Sequence, residues 1–302
     1  MLDKGLTLDR YTIDHPLSNK GGTASVYLGH VSDSPKLKVA IKVANSEMGQ
    51  STPEDILLCR EAELLSRWDW RNQGIVRVFP VNQRDYVIKA LNLRNEPWFM
   101  VMEYLNGESL ADNMSKIKDF HLNWKIELFY NILLSVAFLH QKGYAHRDLK
   151  PENIVFKRPI NVNESPQPVL IDFALAWNGT DDIEFVKTSY TLAYASPERI
   201  LKSMGFEYES PLWAADIWSL GIIFYEIVTG QNLLKGSADQ IKTTIIESRL
   251  KLDLPDDDPR NKVLGDYIRE MLRSNPADRP SIDLLLKAFE IKFPPPRIVS
   301  LA

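Results

Sequence analysis

The spacing of apolar residues changes once along this chain, and no other feature limits the possible folds as much. Up to about residue 105 the apolar residues come in β-branched runs bounded by Gly, Ser and Pro: "ASVYLGHV", "LKVAIKVA" and "PWFMVMEYL". Such runs read as strands. One helix interrupts them, "PEDILLCREAELLSRW", with Pro53 in its first turn and acids beside it. After "NGESL" the spacing turns helical. "LNWKIELFYNILLSVAFLHQKG" carries Ile126, Phe129, Leu133 and Ala137 at turn spacing and closes with Gly143 as the residue after its cap. "DIWSLGIIFYEIVTG" is apolar nearly all round and reads as a buried helix. Further helices are expected near 237–249, 261–273 and 281–290.

The expected fold class is therefore α+β and bilobal. A small antiparallel β lobe with one key helix (1–105) precedes a larger, mostly α-helical lobe (106–292), with a crevice between them. Residues 293–302, "FPPPRIVSLA", read as a proline-rich tail or linker.

Charge and cysteine usage exclude some functions. A net charge of −4 argues against a nucleic-acid binder held by bulk electrostatics. The one cysteine, Cys59, permits no intrachain disulfide and fits a reducing, cytoplasmic setting. "MLDKGLTLDRY" lacks the apolar region of a signal peptide, and no apolar run reads as long enough to span a bilayer. Tethering through a further C-terminal segment stays open, as does the oligomeric state.

Several polar residues stand where burial would penalise them. Leu57, Glu61, Leu64, Leu65 and Trp68 share one helix face, so Glu61 sits in an apolar stripe. A carboxylate there needs a cation, and Lys42, inside the apolar run "VAIKVA", is the candidate. Two readings fit: a structural ion pair, or a lysine held by Glu61 and aimed at an anionic ligand. Gly21 and Gly22 in "NKGGTASVY" form either a hairpin turn or a loop whose N–H groups approach phosphate closely.

"AHRDLKPENIVF" packs an imidazole, a guanidinium, two carboxylates, an ammonium and an amide into eight positions before an apolar run. Asp172 follows another such run in "VLIDFALAW". Asn153 and Asp172 are hard oxygen ligands of the kind Mg²⁺ takes together with substrate phosphates. Asp148 can orient a hydroxyl, and Lys150 supplies a cation for a transferring phosphoryl group. The set suits phosphoryl transfer.

With "VAIK", Glu61, "HRDLKPEN", "DFA", "SPE" and "DIWSLG" in this order, the chain resembles the eukaryotic-like Ser/Thr protein kinases across about residues 11–290. The resemblance implies transfer of phosphate from ATP, with Mg²⁺, to Ser or Thr hydroxyls of protein substrates, including the domain's own activation segment. Lys42 would contact the α- and β-phosphates and Glu61 would hold it. Asp148 would be the catalytic base, with Asn153 and Asp172 as metal ligands. Met102 resembles the gatekeeper, Glu103 and Leu105 would give backbone hydrogen bonds to adenine, and Val26, Ala40 and Val155 would sandwich the ring. His146 and Phe173 resemble members of the regulatory spine, with Asp216 bonding the backbone near His146. Glu198 and Arg279 resemble the large-lobe ion pair.

The sequence departs from the family in places. The glycine-rich loop reads Asn19, Gly21, Ala24, the Asp-Phe-Gly triplet ends in Ala174, and Trp177 stands where phosphate-controlled relatives carry a basic residue. "NQRDYVIKALNLRNEP" and "KRPINVNESPQP" lengthen two connections. A pseudokinase scaffold and, against "SPE", a small-molecule phosphotransferase are the alternatives.

Overall fold

The computed structural model describes residues 2–18, 24–45, 52–68, 74–82, 84–93, 95–180, 189–206 and 209–293. They fall into two compact units, one of residues 1–106 with 171–174, the other of 107–170 with 175–302. The short stretch Ile171–Ala174 packs with the first unit, although in chain order it lies inside the region read from sequence as the helical lobe.

The first unit is an antiparallel sheet with one helix. Its strands are β1 (Thr7–Leu8), β2 (Tyr11–Ser18), β3 (Ala24–Val31), β4 (Ser34–Ala44), β5 (Val78–Phe79), β6 (Val87–Lys89) and β7 (Trp98–Glu103). They are ordered β1-β2-β3-β4-β7-β5, with β6 also paired to β7. Side chains alternate across a strand. In β4, Val39, Ile41 and Val43 therefore enter a core with Tyr11, Ile13, Tyr27, Phe99 and Val101, which leaves Ala40 and Lys42 for the other face.

Helix α1 (Pro53–Ser66) starts where Thr52 and Asp55 form a reciprocal capping box and Pro53 presets the first turn. The lengthened connection before β7 is built into the sheet. It supplies β6, and Asn92 Nδ2 donates to Thr7 O at 2.7 Å.

The second unit is helical. It contains α2 (Leu110–Ile117), α3 (Leu122–Gln141), the paired strands β8 (Ile154–Phe156) and β9 (Pro168–Leu170), α4 (Pro197–Ser203), α5 (Ala214–Thr229), α6 (Ala238–Ile246), α7 (Arg260–Met271) and α8 (Ile282–Lys292). Helix α5 is buried on all sides, as its unbroken apolar pattern requires. Phe129 of α3 stacks on Phe224 of α5 with centroids 3.8 Å apart, and Phe289 of α8 packs against both.

Helix α3 bears on the expectation that no apolar run spans a bilayer. With 20 residues and a mean hydropathy of 1.2 it is long and apolar enough, by length and composition only, to cross a membrane. Its apolar face lies in the core beside Phe224 and Phe289, so burial inside the unit accounts for the pattern. Helix α2 escapes the sequence reading, although Ser109 and Asp112 form a capping box that marks its start. Just before it, a Cβ on Gly107 would come within 2.5 Å of Phe156 O, so that close backbone approach needs glycine.

Candidate active site

In the first unit, register gathers the candidate nucleotide residues on one face. Lys42 lies opposite Val26 on β3 and Met100 on β7. Ala40 lies opposite Leu28 and Met102. Val26, Ala40, Lys42 and Met102 thus line the side of the sheet away from its apolar core.

Lys42 is 7% exposed, and Glu61 is fully buried. Lys42 Nζ donates to Glu61 Oε2 at 2.5 Å and to Asp172 Oδ1 at 2.9 Å. Glu61 Oε1 accepts from Phe173 N at 3.1 Å. Both Glu61 oxygens act as acceptors, as those of a carboxylate do. Burial opposes the Lys42 charge, but Asp172 and Glu61 together hold its pKa above the ordinary lysine value. Burial pushes the Glu61 carboxyl up, with Lys42 acting against it. One buried ammonium between two carboxylates is a stable cation aimed along the sheet face.

Asp172 lies two residues past the end of β9 and takes a left-handed φ of 63°, a conformation aspartate tolerates better than most residues. Phe173 is fully buried and meets Trp68 edge-on at 5.3 Å between centroids. Glu103 ends β7, its N–H donating to Arg77 O at 2.9 Å, and half-buried Leu105 follows it. Gly21 and Gly22 lie outside the described residues.

In the second unit, "HRDLKPEN" forms a turn around a buried carboxylate. Asp216 of α5 accepts from His146 N at 2.7 Å and Arg147 N at 2.8 Å. Successive N–H groups of an extended chain point to opposite sides. Here both reach one side chain, and Arg147 has a φ of 67°. Burial alone would raise the Asp216 carboxyl. Hydrogen bonds from His140 and the Arg147 N–H hold it below the usual carboxylate range instead. His140 Nε2 lies 2.9 Å from Asp216 Oδ2. Sequence reasoning misses His140, for which a histidine in the last turn of an apolar helix is the available signal.

That turn presents Asp148. Its Oδ1 accepts from Thr191 Oγ1 at 2.7 Å, and its Oδ2 accepts from Lys150 Nζ at 2.7 Å. Lys150 also reaches Thr191 Oγ1 at 3.0 Å. Asn153 Nδ2 donates to Asp148 O at 2.8 Å and Asp148 Oδ2 at 3.0 Å. Two acceptors on one side fix the amide nitrogen there and turn the Asn153 oxygen away from Asp148. Val155 sits mid-strand in β8, opposite Val169. Away from this network, Arg279 makes a two-pronged pair with Glu198 at 2.7 and 2.8 Å.

The sequence profile of the family described as "Protein kinase domain" matches residues 19–289, nearly the whole chain. The chain belongs to the protein kinase domain family. The kinase domain is 30% identical to the serine/threonine-protein kinase Nek11 of Mus musculus over 95% of this chain and 42% of that protein. It is 27% identical to the serine/threonine-protein kinase ULK1 of Homo sapiens over 88% of this chain and 24% of that protein. It is 24% identical to the serine/threonine-protein kinase GIN4 of Saccharomyces cerevisiae over 80% of this chain and 19% of that protein. The kinase domain thus spans less than half the length of these relatives.

Proposed function

We propose that this kinase domain transfers the γ-phosphoryl group of ATP to serine and threonine hydroxyls of protein substrates. The observation that carries the reading is the Asp148–Lys150–Thr191–Asn153 network. It holds a carboxylate, an ammonium and a hydroxyl within 3.0 Å of one another. Asp148 orients the acceptor hydroxyl and takes its proton as the new P–O bond to the γ-phosphorus forms and the β–γ bridging P–O bond breaks, releasing ADP. Lys150 places a positive charge beside that carboxylate, where charge on the transferring group grows. Lys42, kept charged by Glu61, holds the α- and β-phosphates of ATP. Met102, Val26, Ala40 and Val155 serve the adenine, with backbone groups of Glu103 and Leu105 as its hydrogen-bonding partners. Gly21 and Gly22 are assigned to phosphate binding by the resemblance alone.

The donors fit Mg²⁺. Asp172 brings a carboxylate, a hard oxygen ligand that Lys42 also contacts, and Asn153 presents an amide oxygen because its nitrogen is committed to Asp148. Among the described residues no cluster of three or more His, Cys, Asp or Glu could hold a metal alone. That agrees with an ion that keeps several waters and takes few protein ligands. Asp172 and Asn153 would hold it, and it would neutralise phosphate charge. The lone cysteine supports a reducing, cytoplasmic setting.

The test is single-turnover transfer from labelled ATP to serine, threonine and tyrosine peptides, with Asp148→Asn and Asp172→Asn alongside. Transfer to serine or threonine that collapses in both folded variants supports the reading. Nucleotide binding without transfer by wild type would make the domain a scaffold, and near wild-type rates in the variants would remove the assignment of these two residues.

A further inference from the structure

Helix α1 and the turn after it supply several of the contacts that hold Asp172–Phe173–Ala174 in the first unit. Glu61 Oε1 accepts from Phe173 N at 3.1 Å. The residue before it, Arg60, donates through Nη1 to Ala174 O at 3.2 Å. Two turns further along, Trp68 meets the Phe173 ring at 5.3 Å. Lys42 then contacts the Asp172 carboxylate itself at 2.9 Å.

The two backbone bonds differ in what they fix. The Phe173 N–H belongs to the peptide plane that follows Asp172, so Glu61 sets ψ at Asp172. Nothing in that bond fixes the chain beyond Phe173. The Ala174 carbonyl is the next anchored group, and its partner is the charged, half-buried guanidinium of Arg60. Aspartate tolerates the left-handed φ of 63° at Asp172 better than most residues but still at a cost, so an anchor on this side helps to hold it. A backbone held there persists only when its surroundings over-determine it. Ala174 is absent from the residues with positive φ, so it offers its carbonyl to Arg60 without left-handed strain.

We propose that Arg60 is a positioning residue for phosphoryl transfer: by capturing the Ala174 carbonyl it holds the Asp172 carboxylate in its metal-binding orientation. This rests on the metal-holding role proposed for Asp172. Arg60 touches neither substrate nor ion. It acts through the backbone of residues 172–174, while Lys42 and Glu61 act on the side chain and the preceding plane.

The experiment compares wild type, Arg60→Met, Arg60→Lys and Asp172→Asn. Methionine keeps an apolar stem and removes every donor; lysine keeps the charge and one donor group. Two quantities are read on folded protein: hydrogen exchange of the Phe173 amide, and the gain in ADP affinity on adding Mg²⁺. Loss of a charge-assisted bond predicts exchange about tenfold faster in Arg60→Met and a Mg²⁺-dependent gain reduced by about tenfold. ADP affinity without Mg²⁺ should be unchanged, and Arg60→Lys should recover part of both effects. A merely structural arginine would lower thermal stability and leave the Mg²⁺ gain intact.

If Asp172→Asn loses the Mg²⁺ gain and Arg60→Met keeps it with unchanged exchange, the positioning role is overturned and the metal reading stands. If Asp172→Asn also keeps the gain, the metal reading fails and the proposal fails with it. Should Arg60→Met not fold, Arg60→Gln gives the same comparison.

Discussion

The guanidinium of Arg147 lies over the indole of Trp177, with Cζ 4.7 Å from the ring centroid. The same tryptophan pairs with Ala145 through reciprocal backbone bonds of 2.8 and 2.9 Å, so the ring is fixed beside the turn that carries Asp148. A cation over an aromatic face gains roughly 0.5–2 kcal/mol, more when desolvated. In this chain an aromatic partner thus already contributes to ordering Arg147.

Phosphatase treatment should therefore lower peptide kinase activity only modestly, and Trp177→Ala should make the domain depend more strongly on segment phosphorylation. The measurement is activity before and after phosphatase for both proteins. Complete loss of wild-type activity on dephosphorylation would show that the stacked tryptophan does not order the turn.

Ala174 should bias the segment against arrangements that swing Phe173 away from Trp68. Glycine at this position would reach backbone angles closed to alanine, and removing that freedom favours the fitted conformation by about 0.4–1 kcal/mol. Ala174 has no positive φ in the folded chain, so it adds no left-handed strain. An inhibitor that requires the displaced Phe173 should bind Ala174→Gly several-fold more tightly than wild type, while a control ligand confined to the ATP site binds both equally. Equal affinities for the first inhibitor would end the argument.

Glu226 gives the fold a pH dependence. It is buried in α5, and Tyr194 Oη donates to its Oε2 at 3.0 Å. Burial pushes its pKa from 4.5 up to about 7. Between those values the folded protein binds more protons than the unfolded chain, so this group's contribution is complete below pH 4.5 and is lost as pH rises through 7. The loss is on the order of a few kcal/mol. Glu226→Gln should flatten the dependence of Tm on pH across that window and unfold at a higher temperature than wild type above pH 7. Parallel Tm profiles for the two proteins would contradict the assignment.

Arg279 should be far less replaceable than an exposed arginine. Besides its two bonds to Glu198, it donates to Ala214 O at 2.8 Å and Arg273 O at 2.8 Å, and it lies over Trp218 at 5.1 Å. Arg279→Met strands a buried carboxylate and should cost about 3–5 kcal/mol, whereas Arg279→Met combined with Glu198→Leu should recover part of that loss. Chemical denaturation of the three proteins decides it. Near wild-type stability in the single variant would mean that solvent reaches Glu198.

Much of this kinase domain is written into local sequence. Alternation in "LKVAIKVA" puts Lys42 on the face away from the sheet core, and helical spacing puts Glu61 in the apolar stripe of α1; each charge stands alone in an apolar pattern, which is what points one at the other. The crowd of unlike polar groups in "HRDLKPEN" announces its chemistry in the same way. Other relationships have no such local trace. Arg60 reads as an ordinary helix-surface cation until a chain segment more than a hundred residues later brings the Ala174 carbonyl to it. His140 reads as the end of an apolar helix until α5 delivers Asp216. The return of Ile171–Ala174 to the first unit contradicts simple chain order. Periodicity reports only which side of an element is buried, because burial repeats with the element's own geometry. Which distant backbone group meets a given side chain depends on how the elements are connected and packed, and that was decided by the tertiary structure alone.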